Sequence, residues 1–265
     1  MTGGIDPAGN AETLVAAVHA AADAGAAMLF TPEMSNLVDR DRTRAARAIV
    51  GEADETVLSA VRHAAAARGV WVNLGSLAVR RDDGRLANRA FVIDGRGALA
   101  ARYDKLHLFD VALPGGESWR ESATYAPGDS AAVVTTPLGV LGLSICYDLR
   151  FPRLYAALSD AGAQVLAVPA AFTQPTGAAH WKVLLRARAI ENACWVVAAA
   201  QTGAHPDGRA THGHSLVIDP WGEVVLDMGE APGLAFAEID GKRTVEVRSR
   251  IPVLEHRRAI PAVAR

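Results

Sequence analysis

Residues 144–152 read SICYDLRFP, and the interpretation of the fold starts from this stretch. The apolar run VLGLSI ends directly before Cys146 and has the length of a buried strand. The segment that follows, FPRLYAALSDAG, has the composition of a helix. Cys146 therefore lies at a strand-to-helix step, which is where α/β folds place their functional groups.

From its position alone, Cys146 is either a packing residue or a nucleophile, and packing is the commoner role of a lone cysteine. The second cysteine, Cys194, lies in ENACWVV among apolar residues, and we predict that it belongs to the core. Two cysteines cannot form a framework of disulfides, which is typical of a protein from a reducing compartment.

Length and charge limit the class of protein. The chain has 265 residues, 50% of them hydrophobic, which is enough for one domain spanning 1–265. Its 27 Lys+Arg residues are balanced by 29 Asp+Glu, so neither nucleic acid nor an anionic membrane is the expected partner. The sequence shows no leader peptide and no apolar run of about 20 residues, so we expect a soluble, cytoplasmic protein.

Strand-like and helix-like segments alternate along the chain. The helix NAETLVAAVHAAADAG is predicted to begin at Asn10, and GLAFAEID, residues 233–240, is predicted to be the last strand. Strand–helix alternation occurs twice, and each time hairpins follow it. We therefore predict an α/β fold with two mixed sheets, each covered by helices on one face, which describes a four-layer sandwich.

Three polar residues occupy predicted strand ends: Glu33 after MLFTP, Lys105 after LAARYD, and Cys146. Taken one at a time, Glu33 could equally be a solvated turn residue and Lys105 an ordinary surface lysine, with no functional role. Together they form a set that suffices for acyl transfer. A carboxylate can take the thiol proton, a lysine can stabilise an oxyanion, and a following helix would direct N–H groups at the sulfur.

The stretches FTPEMSN, RYDKLHLFD and SICYDLRFP resemble the three motifs of the nitrilase superfamily of carbon–nitrogen hydrolases. The likeness continues through GESWRESATYAPGD, AHWKVLLRARAIEN, AAAQTGAH and GHSLVIDPWGEVV. Any one motif is a weak signal, whereas three in order with these flanks are specific. The resemblance implies a four-layer αββα sandwich and a catalytic Glu-Lys-Cys triad.

Carried over motif by motif, the resemblance implies that Glu33 is the general base and Lys105 the oxyanion stabiliser. Cys146 would form a thioester, and the backbone N–H of Tyr147 would complete the oxyanion hole. A second catalytic glutamate of the family corresponds to Glu121. Glu117 is a nearby candidate of lower rank.

The flanking segments are most similar to the branch of deaminated-glutathione amidases and ω-amidases. This likeness implies an amidase that cleaves the C–N bond of a small anionic amide and releases ammonia, without a cofactor. The open alternatives are a nitrilase, an N-carbamoyl amide hydrolase or a non-catalytic binding relative. The family also implies a homodimer or a larger homo-oligomer.

An anionic substrate requires a cation, and Arg150 is the candidate because it follows the cysteine motif. A structural ion pair is an equally good interpretation of Arg150. Arg186 and Arg188 lie on a predicted helix, where pairing within the chain competes with substrate contact. His205, His212 and His214 could suggest a metal site, but no carboxylate or cysteine spacing matches one, and we expect none.

The beginning of the chain differs from the family pattern. Family members begin with an apolar strand before the first helix, whereas this sequence begins with MTGGIDPAGN. We therefore expect a nitrilase-type sandwich that lacks its first strand, so that backbone groups on the neighbouring strand lose their partners.

Overall fold

Two large β-sheets, two short hairpins and six helices make up residues 1–112 and 118–263, the part of the chain that this computed structural model describes. The helices are α1 (Pro7–Asp23), α2 (Arg42–Ala48), α3 (Thr56–Arg68), α4 (Pro152–Asp160), α5 (Gln174–Asn192) and α6 (Gly241–Arg250). The strands are β1 (Met28–Phe30), β2 (Trp71–Arg80), β3 (Leu86–Ile93), β4 (Leu99–Asp104), β5 (Asp110–Ala112), β6 (Ser118–Arg120), β7 (Val133–Thr136), β8 (Gly139–Leu143), β9 (Val165–Ala167), β10 (Trp195–Ala198), β11 (Thr202–Ala204), β12 (Ala210–His212), β13 (Leu216–Ile218) and β14 (Val224–Asp227).

Both large sheets are mixed, as the alternating pattern predicts. The first has the order β1-β2-β3-β4, with β1 and β2 parallel and the remaining pairs antiparallel. The second has the order β14-β13-β10-β9-β8-β7, with a parallel centre formed by β10, β9 and β8. Parallel strands need crossover helices, and the chain supplies them in α3, α4 and α5.

The layer order can be read from the side chains of one strand, β3. Phe91 and Ile93 point into a cluster with α1 and α3 on the outer face of the first sheet. The alternate residues Ala90 and Val92 point the other way, into a cluster with the second sheet and with α4 and α5. Because successive strand residues face opposite sides, the two sheets pack face to face with helices outside both. The four-layer αββα sandwich is therefore confirmed.

Helix α1 begins earlier than the sequence suggests. Asp6 is its cap, with a side chain that accepts two backbone N–H groups, and Pro7 occupies the first turn. The predicted cap, Asn10, lies inside the helix instead, so that prediction is wrong. Its amide donates to the carbonyls of Gly4 at 3.0 Å and Asn36 at 2.8 Å, which ties the start of the chain to the segment after β1. An Asp-Pro step is the stronger start signal.

The prediction of a last strand at residues 233–240 is also wrong. Within the described chain this segment has no strand partner, and its large side chain Phe236 is half exposed. An alternation of apolar and polar side chains is compatible with extended backbone, but a strand also needs a neighbouring strand for its backbone hydrogen bonds. The segment ends at Asp240, whose carboxylate caps α6, a helix that the sequence reading does not anticipate.

Residues 1–6, all of them described, form no strand, and β1 is an edge strand of its sheet. The segment is nevertheless bonded to distant parts of the chain. The carbonyl of Met1 accepts from the N–H of Thr202 at 3.0 Å, and the N–H of Gly3 donates to Gln201 Oε1 at 2.9 Å. These contacts place the beginning of the chain beside the hairpin formed by β11 and β12.

Candidate active site

Three strand ends meet at the floor of a cavity of about 360 Å³. Glu33 lies just beyond β1, Lys105 directly follows β4, and Cys146 lies just beyond β8. All three residues are buried, and all three line this cavity. The sandwich therefore brings together from both sheets the three side chains that the sequence singles out at strand ends.

Gly75 in the neighbouring strand β2 allows the segment that leads to Glu33 to pack closely against that strand. A Cβ on Gly75 would stand 2.0 Å from the carbonyl oxygen of Thr31, so only glycine fits there without backbone movement. The carboxylate of Glu33 accepts from the N–H of Ala171 at 2.9 Å through Oε2. Its backbone carbonyl accepts from Gln201 Nε2 at 3.0 Å. Both ends of Glu33 are therefore fixed.

Lys105 lies between two carboxylates. Its Nζ donates to Glu33 Oε1 at 2.8 Å and to both oxygens of Glu121 at 2.9 and 3.1 Å. Asn88 Nδ2 bridges the same pair, donating to Glu33 Oε1 at 2.9 Å and Glu121 Oε1 at 3.1 Å. The N–H of Phe109 donates to Glu121 Oε2 at 2.7 Å. The result is a rigid network in which every carboxylate oxygen has a donor.

Burial and charge act in opposite directions on the ionisable groups of this network. Burial raises the pKa of Glu33, but the charge of Lys105 and hydrogen bonds from Cys146, Lys105 and Asn88 outweigh it, so the pKa lies below its usual range. Burial lowers the pKa of Lys105, yet the charges of Glu121 and Glu33 raise it well above its ordinary value. Glu33 is thus a carboxylate and Lys105 an ammonium at neutral pH.

Cys146 itself is held as a thiol next to a base. Burial raises the pKa of its thiol well above the ordinary value, the Glu33 carboxylate raises it further, and Lys105 partly opposes both. Hydrogen bonding to the Glu33 carboxylate also favours the protonated thiol and raises its pKa. A cysteine nucleophile needs either a lowered thiol pKa or a neighbouring base, and this structure supplies the base.

The backbone at Cys146 is unusual. Its φ is +49°, a left-handed conformation that is costly for a residue with a side chain and is typical of functional turns. Residues Cys146–Arg150 form a 3₁₀ helix, which the sequence does not predict, and α4 follows from Pro152. The N–H of Cys146 donates to the carbonyl of Pro169 and that of Asp148 to the carbonyl of Ile145. Among the described residues, the N–H of Tyr147 between them has no such backbone acceptor.

A buried carboxylate, Asp148, fixes the loop that carries the cysteine. Its Oδ2 accepts from the N–H of Ile145 at 2.9 Å and from Tyr103 Oη at 2.7 Å. Its Oδ1 contacts the N–H and the ring Nδ1 of His107 at 3.0 and 2.7 Å. Arg188 donates twice to the carbonyl of Leu149 at 3.0 and 2.7 Å. These partners were not anticipated, because their importance depends on contacts between distant segments.

Arg150 is placed at the edge of the site. Among the described residues, Arg40, Arg42, Arg120 and Arg209 line the cavity, and Arg150 does not. Its guanidinium packs over the rings of Phe172 and Tyr147, and Nη1 contacts His180 Nδ1 at 3.2 Å. Glu117, the lower-ranked second glutamate, lies outside the described residues. The recognition role of Arg150 stays a prediction.

The remaining candidates make contacts within the chain. Arg188 pairs with Glu191 at 2.8 Å, and Arg186 Nε donates to the carbonyl of Gly222 at 2.8 Å. The rings of His212 and His214 stack with centroids 4.7 Å apart. Nowhere in 1–112 or 118–263 do three or more His, Cys, Asp or Glu side chains gather in a way that could hold a metal ion. The same ranges contain no helix with the length and apolarity to cross a membrane.

A family model and the relatives found by comparison with known proteins agree on one class of enzyme, the carbon–nitrogen hydrolases. A family model described as carbon-nitrogen hydrolase matches residues 3–249. The chain is 42% identical over 254 residues to the deaminated glutathione amidase of Bos taurus, covering 94% of this chain and 77% of the relative. It is 54% identical over 181 residues to the deaminated glutathione amidase of Synechocystis sp. (strain PCC 6803 / GT-S), covering 68% of this chain and 66% of the relative.

A solved structure agrees with the sequence matches. The crystal structure of the C. elegans NitFhit protein superimposes with a TM-score of 0.90 at 40% sequence identity. The match covers 97% of this chain and 63% of that one, so the NitFhit chain is considerably longer. The likeness therefore extends over the whole sandwich.

Proposed function

Because the chain belongs to the carbon–nitrogen hydrolase family, we propose that it is an amidase in which Cys146 attacks the carbonyl carbon of a small anionic amide. The observation that carries the proposal is the thiol of Cys146 beside the ionised carboxylate of Glu33, with the ammonium of Lys105 bonded to the same carboxylate. Nucleophile, base and cation thus lie together on a buried cavity floor.

In the first half of the proposed reaction, Sγ of Cys146 bonds to the amide carbon while Glu33 takes the thiol proton. The carbonyl electrons move to oxygen, where the N–H of Tyr147 and the ammonium of Lys105 stabilise the negative charge. The oxyanion then re-forms the carbonyl and the C–N bond breaks. Glu33 returns its proton to the leaving nitrogen, and a thioester remains on the cysteine.

In the second half, Glu33 takes a proton from water as the water oxygen attacks the thioester carbon. The C–S bond then breaks, and Glu33 returns this proton to the sulfur, which restores the thiol. A primary amide would release ammonia in the first half. A substituted amide, such as the one within deaminated glutathione, would release an amine instead. Ammonia alone is therefore an incomplete readout, and the acid product must also be measured.

We assign Glu121 to positioning. Both of its oxygens bond to the ammonium of Lys105, so removing it would leave Lys105 with only the Glu33 carboxylate as an ionic partner among the described residues. Lys105 could then pair more closely with Glu33 and reduce its basicity. Loss of Glu121 would therefore change two things together: the ability of Glu33 to accept the thiol proton and the position of the Lys105 ammonium that stabilises the oxyanion.

The substrate class follows from the relatives, two of which carry the name deaminated glutathione amidase. We propose a deaminated-glutathione-like or α-keto acid ω-amide substrate. The test is a panel of deaminated glutathione, α-ketoglutaramate, a nitrile and an N-carbamoyl amino acid, with acid product and ammonia both measured. Turnover of the two amides supports the proposal. Turnover of the nitrile or carbamoyl compound alone would replace it with one of the other hydrolase activities.

Assembly and location are further parts of the proposal. The family resemblance favours a homodimer or a larger homo-oligomer of single-domain chains working in the cytoplasm. A groove between α5, the β13–β14 turn and α6 supports the assembly, because the apolar side chains of Ile190, Trp221 and Ile251 are about half exposed there. Sedimentation analysis of the wild type and of Trp221→Glu tests it. A wild-type monomer at micromolar concentration would contradict it.

A further inference from the structure

We propose that Arg209 is the residue that recognises a carboxylate of the substrate; the inference rests on the proposed amidase function. Arg209 lies in the turn of the hairpin formed by β11 and β12, far along the chain from the cysteine motif. It lines the same cavity as Glu33, Lys105 and Cys146. Nothing in the cysteine motif points to it, and only the folded structure brings it to the site.

The guanidinium of Arg209 is held in place before any ligand arrives. Its Nε donates to Asp207 Oδ2 at 2.7 Å, and its backbone N–H donates to Asp207 Oδ1 at 3.1 Å. The Asp207 side chain is only 1% exposed, so this anchor is rigid. The guanidinium carbon also lies over the ring of Trp119, 5.2 Å from its centroid.

This anchoring suits the recognition of a carboxylate. The ion pair to Asp207 in the described chain uses Nε, so the two terminal nitrogens can donate side by side to both oxygens of one carboxylate. Because the side chain is already ordered, little conformational entropy is lost when such a ligand binds. Lysine could supply the charge at this position but not the planar pair of donors.

The distribution of charge in the cavity also favours the arginine side as the place where a substrate carboxylate binds. The carboxylates Glu33 and Glu121 occupy the floor around Lys105, so a substrate carboxylate would be repelled there. Asp39 also lines the cavity, but it is paired with Arg44 at 2.6 Å. The described lining also contains Arg40, Arg42, Arg120 and Arg209. An anionic amide would therefore direct its reacting carbonyl to the floor and its carboxylate to the arginines.

The alternative carboxylate partner, Arg150, is less suitably placed. Its guanidinium lies over Phe172 and Tyr147 and contacts His180, and it is not among the described residues that line the cavity. Closeness in sequence to Cys146 does not bring Arg150 into the cavity, because Arg150 is the last residue of the 3₁₀ helix and its guanidinium contacts His180. The two arginines can be separated by experiment.

The experiment measures kcat and KM of the full-length chain on three amides. Deaminated glutathione carries a carboxylate on both sides of the scissile bond, α-ketoglutaramate carries one on the acyl side, and pentanamide carries none. The variants are Arg209→Ala, Arg209→Lys and Arg150→Ala. Arg96→Ala is the matched control, since Arg96 is an exposed arginine in the β3–β4 turn whose recorded partner is Asp94. Melting temperatures of all variants verify folding.

We expect Arg209→Ala to lower kcat/KM about 10- to 100-fold on the carboxylate-bearing amides, mainly through KM, and less than about twofold on pentanamide. Arg209→Lys should recover part of the loss. Loss on both carboxylate-bearing amides assigns Arg209 to the acyl-side carboxylate. Loss on deaminated glutathione alone assigns it to the carboxylate of the leaving group.

Equal losses on all three amides, no loss in Arg209→Ala, or a selective loss in Arg150→Ala instead would overturn the inference while leaving the amidase intact. A wild type inactive on every amide would contradict the proposed function. Arg209 is then tested by the affinity of deaminated glutathione, which carries both carboxylates, for the Cys146→Ala variant, by calorimetry. That affinity should fall about tenfold or more when Arg209→Ala is added and not when Arg96→Ala is added, and an unchanged affinity would overturn the inference.

Discussion

The two cysteines of this chain are almost equally buried, yet they lie in opposite kinds of surroundings. Cys146 is 8% exposed and Cys194 is 0% exposed. Burial raises the pKa of both thiols: well above the ordinary value for Cys146, and to about 11 for Cys194, where Arg248 partly opposes the rise. Neither burial nor thiol pKa therefore identifies the reactive cysteine.

The difference lies in what each sulfur touches. Cys194 Sγ lies 3.2 Å from the carbonyls of Ala163 and Asn192, and Arg248 Nη2 is 3.3 Å away. Among the described residues these contacts include no carboxylate, and Cys194 does not line the cavity that holds Cys146. Cys146 faces a carboxylate base and opens into a cavity. A buried thiol becomes a nucleophile when a base stands beside it and a substrate can reach it.

The largest expected effect is the difference between the two cysteine-to-alanine variants in activity. Cys146→Ala should lower kcat by about four orders of magnitude or more, because the covalent route is lost. Cys194→Ala should stay within about threefold of the wild type. Steady-state kinetics on α-ketoglutaramate with acid-product detection measures both. Comparable losses in the two variants would remove the distinction on which the assignment rests.

The next largest effect concerns the base that distinguishes the two sites. Glu33→Gln keeps the shape of the side chain but cannot accept the thiol proton, so kcat/KM should fall about 10²- to 10⁴-fold. Glu55→Gln is the matched control, since Glu55 is also a buried glutamate but caps α3. If Glu33→Gln retains wild-type activity, another group must deprotonate Cys146.

The pH dependence has a definite sign. The pKa of Glu33 is lowered in the folded chain, so what its carboxylate contributes to activity is present at neutral pH and is lost as pH falls through that lowered pKa. The acid limb of kcat/KM should therefore lie below the ordinary glutamate pKa of 4.5. A limb centred near neutral pH would show that a group other than this ionised carboxylate controls the reaction.

A smaller effect is expected at Asn88, which bridges Glu33 and Glu121. Asn88→Ala should lower kcat about 10- to 100-fold and shift the acid limb upward, because Glu33 loses a hydrogen bond that favours its ionised form. Asn73→Ala is the control, being an equally buried asparagine on β2. If both variants change only thermal stability and leave the pH profile unmoved, Asn88 is structural.

The smallest effect concerns stability, for which Cys194 is expected to matter more than Cys146. Cys194→Ala should lower the free energy of unfolding by about 1–2 kcal/mol, since packing and the contacts of its thiol in the core are lost. Cys146→Ala should change it less or raise it, because the functional site is not optimised for stability. Urea denaturation measures both. A larger loss of stability in Cys146→Ala would mean that Cys146 is the core residue.

Strand ends are local features, so the sequence predicts that Glu33, Lys105 and Cys146 follow strands, whereas the resemblance to the nitrilase motifs implies their roles. A buried apolar run followed by a polar residue can be recognised without a three-dimensional structure. Asn88 is different, since it lies inside β3 and looks like an ordinary polar strand position. Only the approach of two glutamates from other segments makes it part of the site.

Arg150 and Arg209 also show that position in the sequence does not determine which residues reach the site. Proximity to Cys146 in sequence favours Arg150, but the backbone after the cysteine turns it toward His180. Arg209 reaches the cavity from the hairpin of β11 and β12, which a bridge between Thr173 and Thr211 joins to the start of α5. Contacts between distant segments decide which charges face a substrate, and no periodicity in the sequence records them.

Site-specific alkylation tests the central claim most directly, because it compares the two cysteines in one unmodified protein. The wild type is treated with iodoacetamide, residual amidase activity is followed, and the alkylated peptides are mapped at each time point. The account predicts that label on the Cys146 peptide rises in proportion to the loss of activity, that an amide substrate slows both, and that Cys194 stays unlabelled. Activity that falls with label on Cys194, or that survives full alkylation of Cys146, would contradict it.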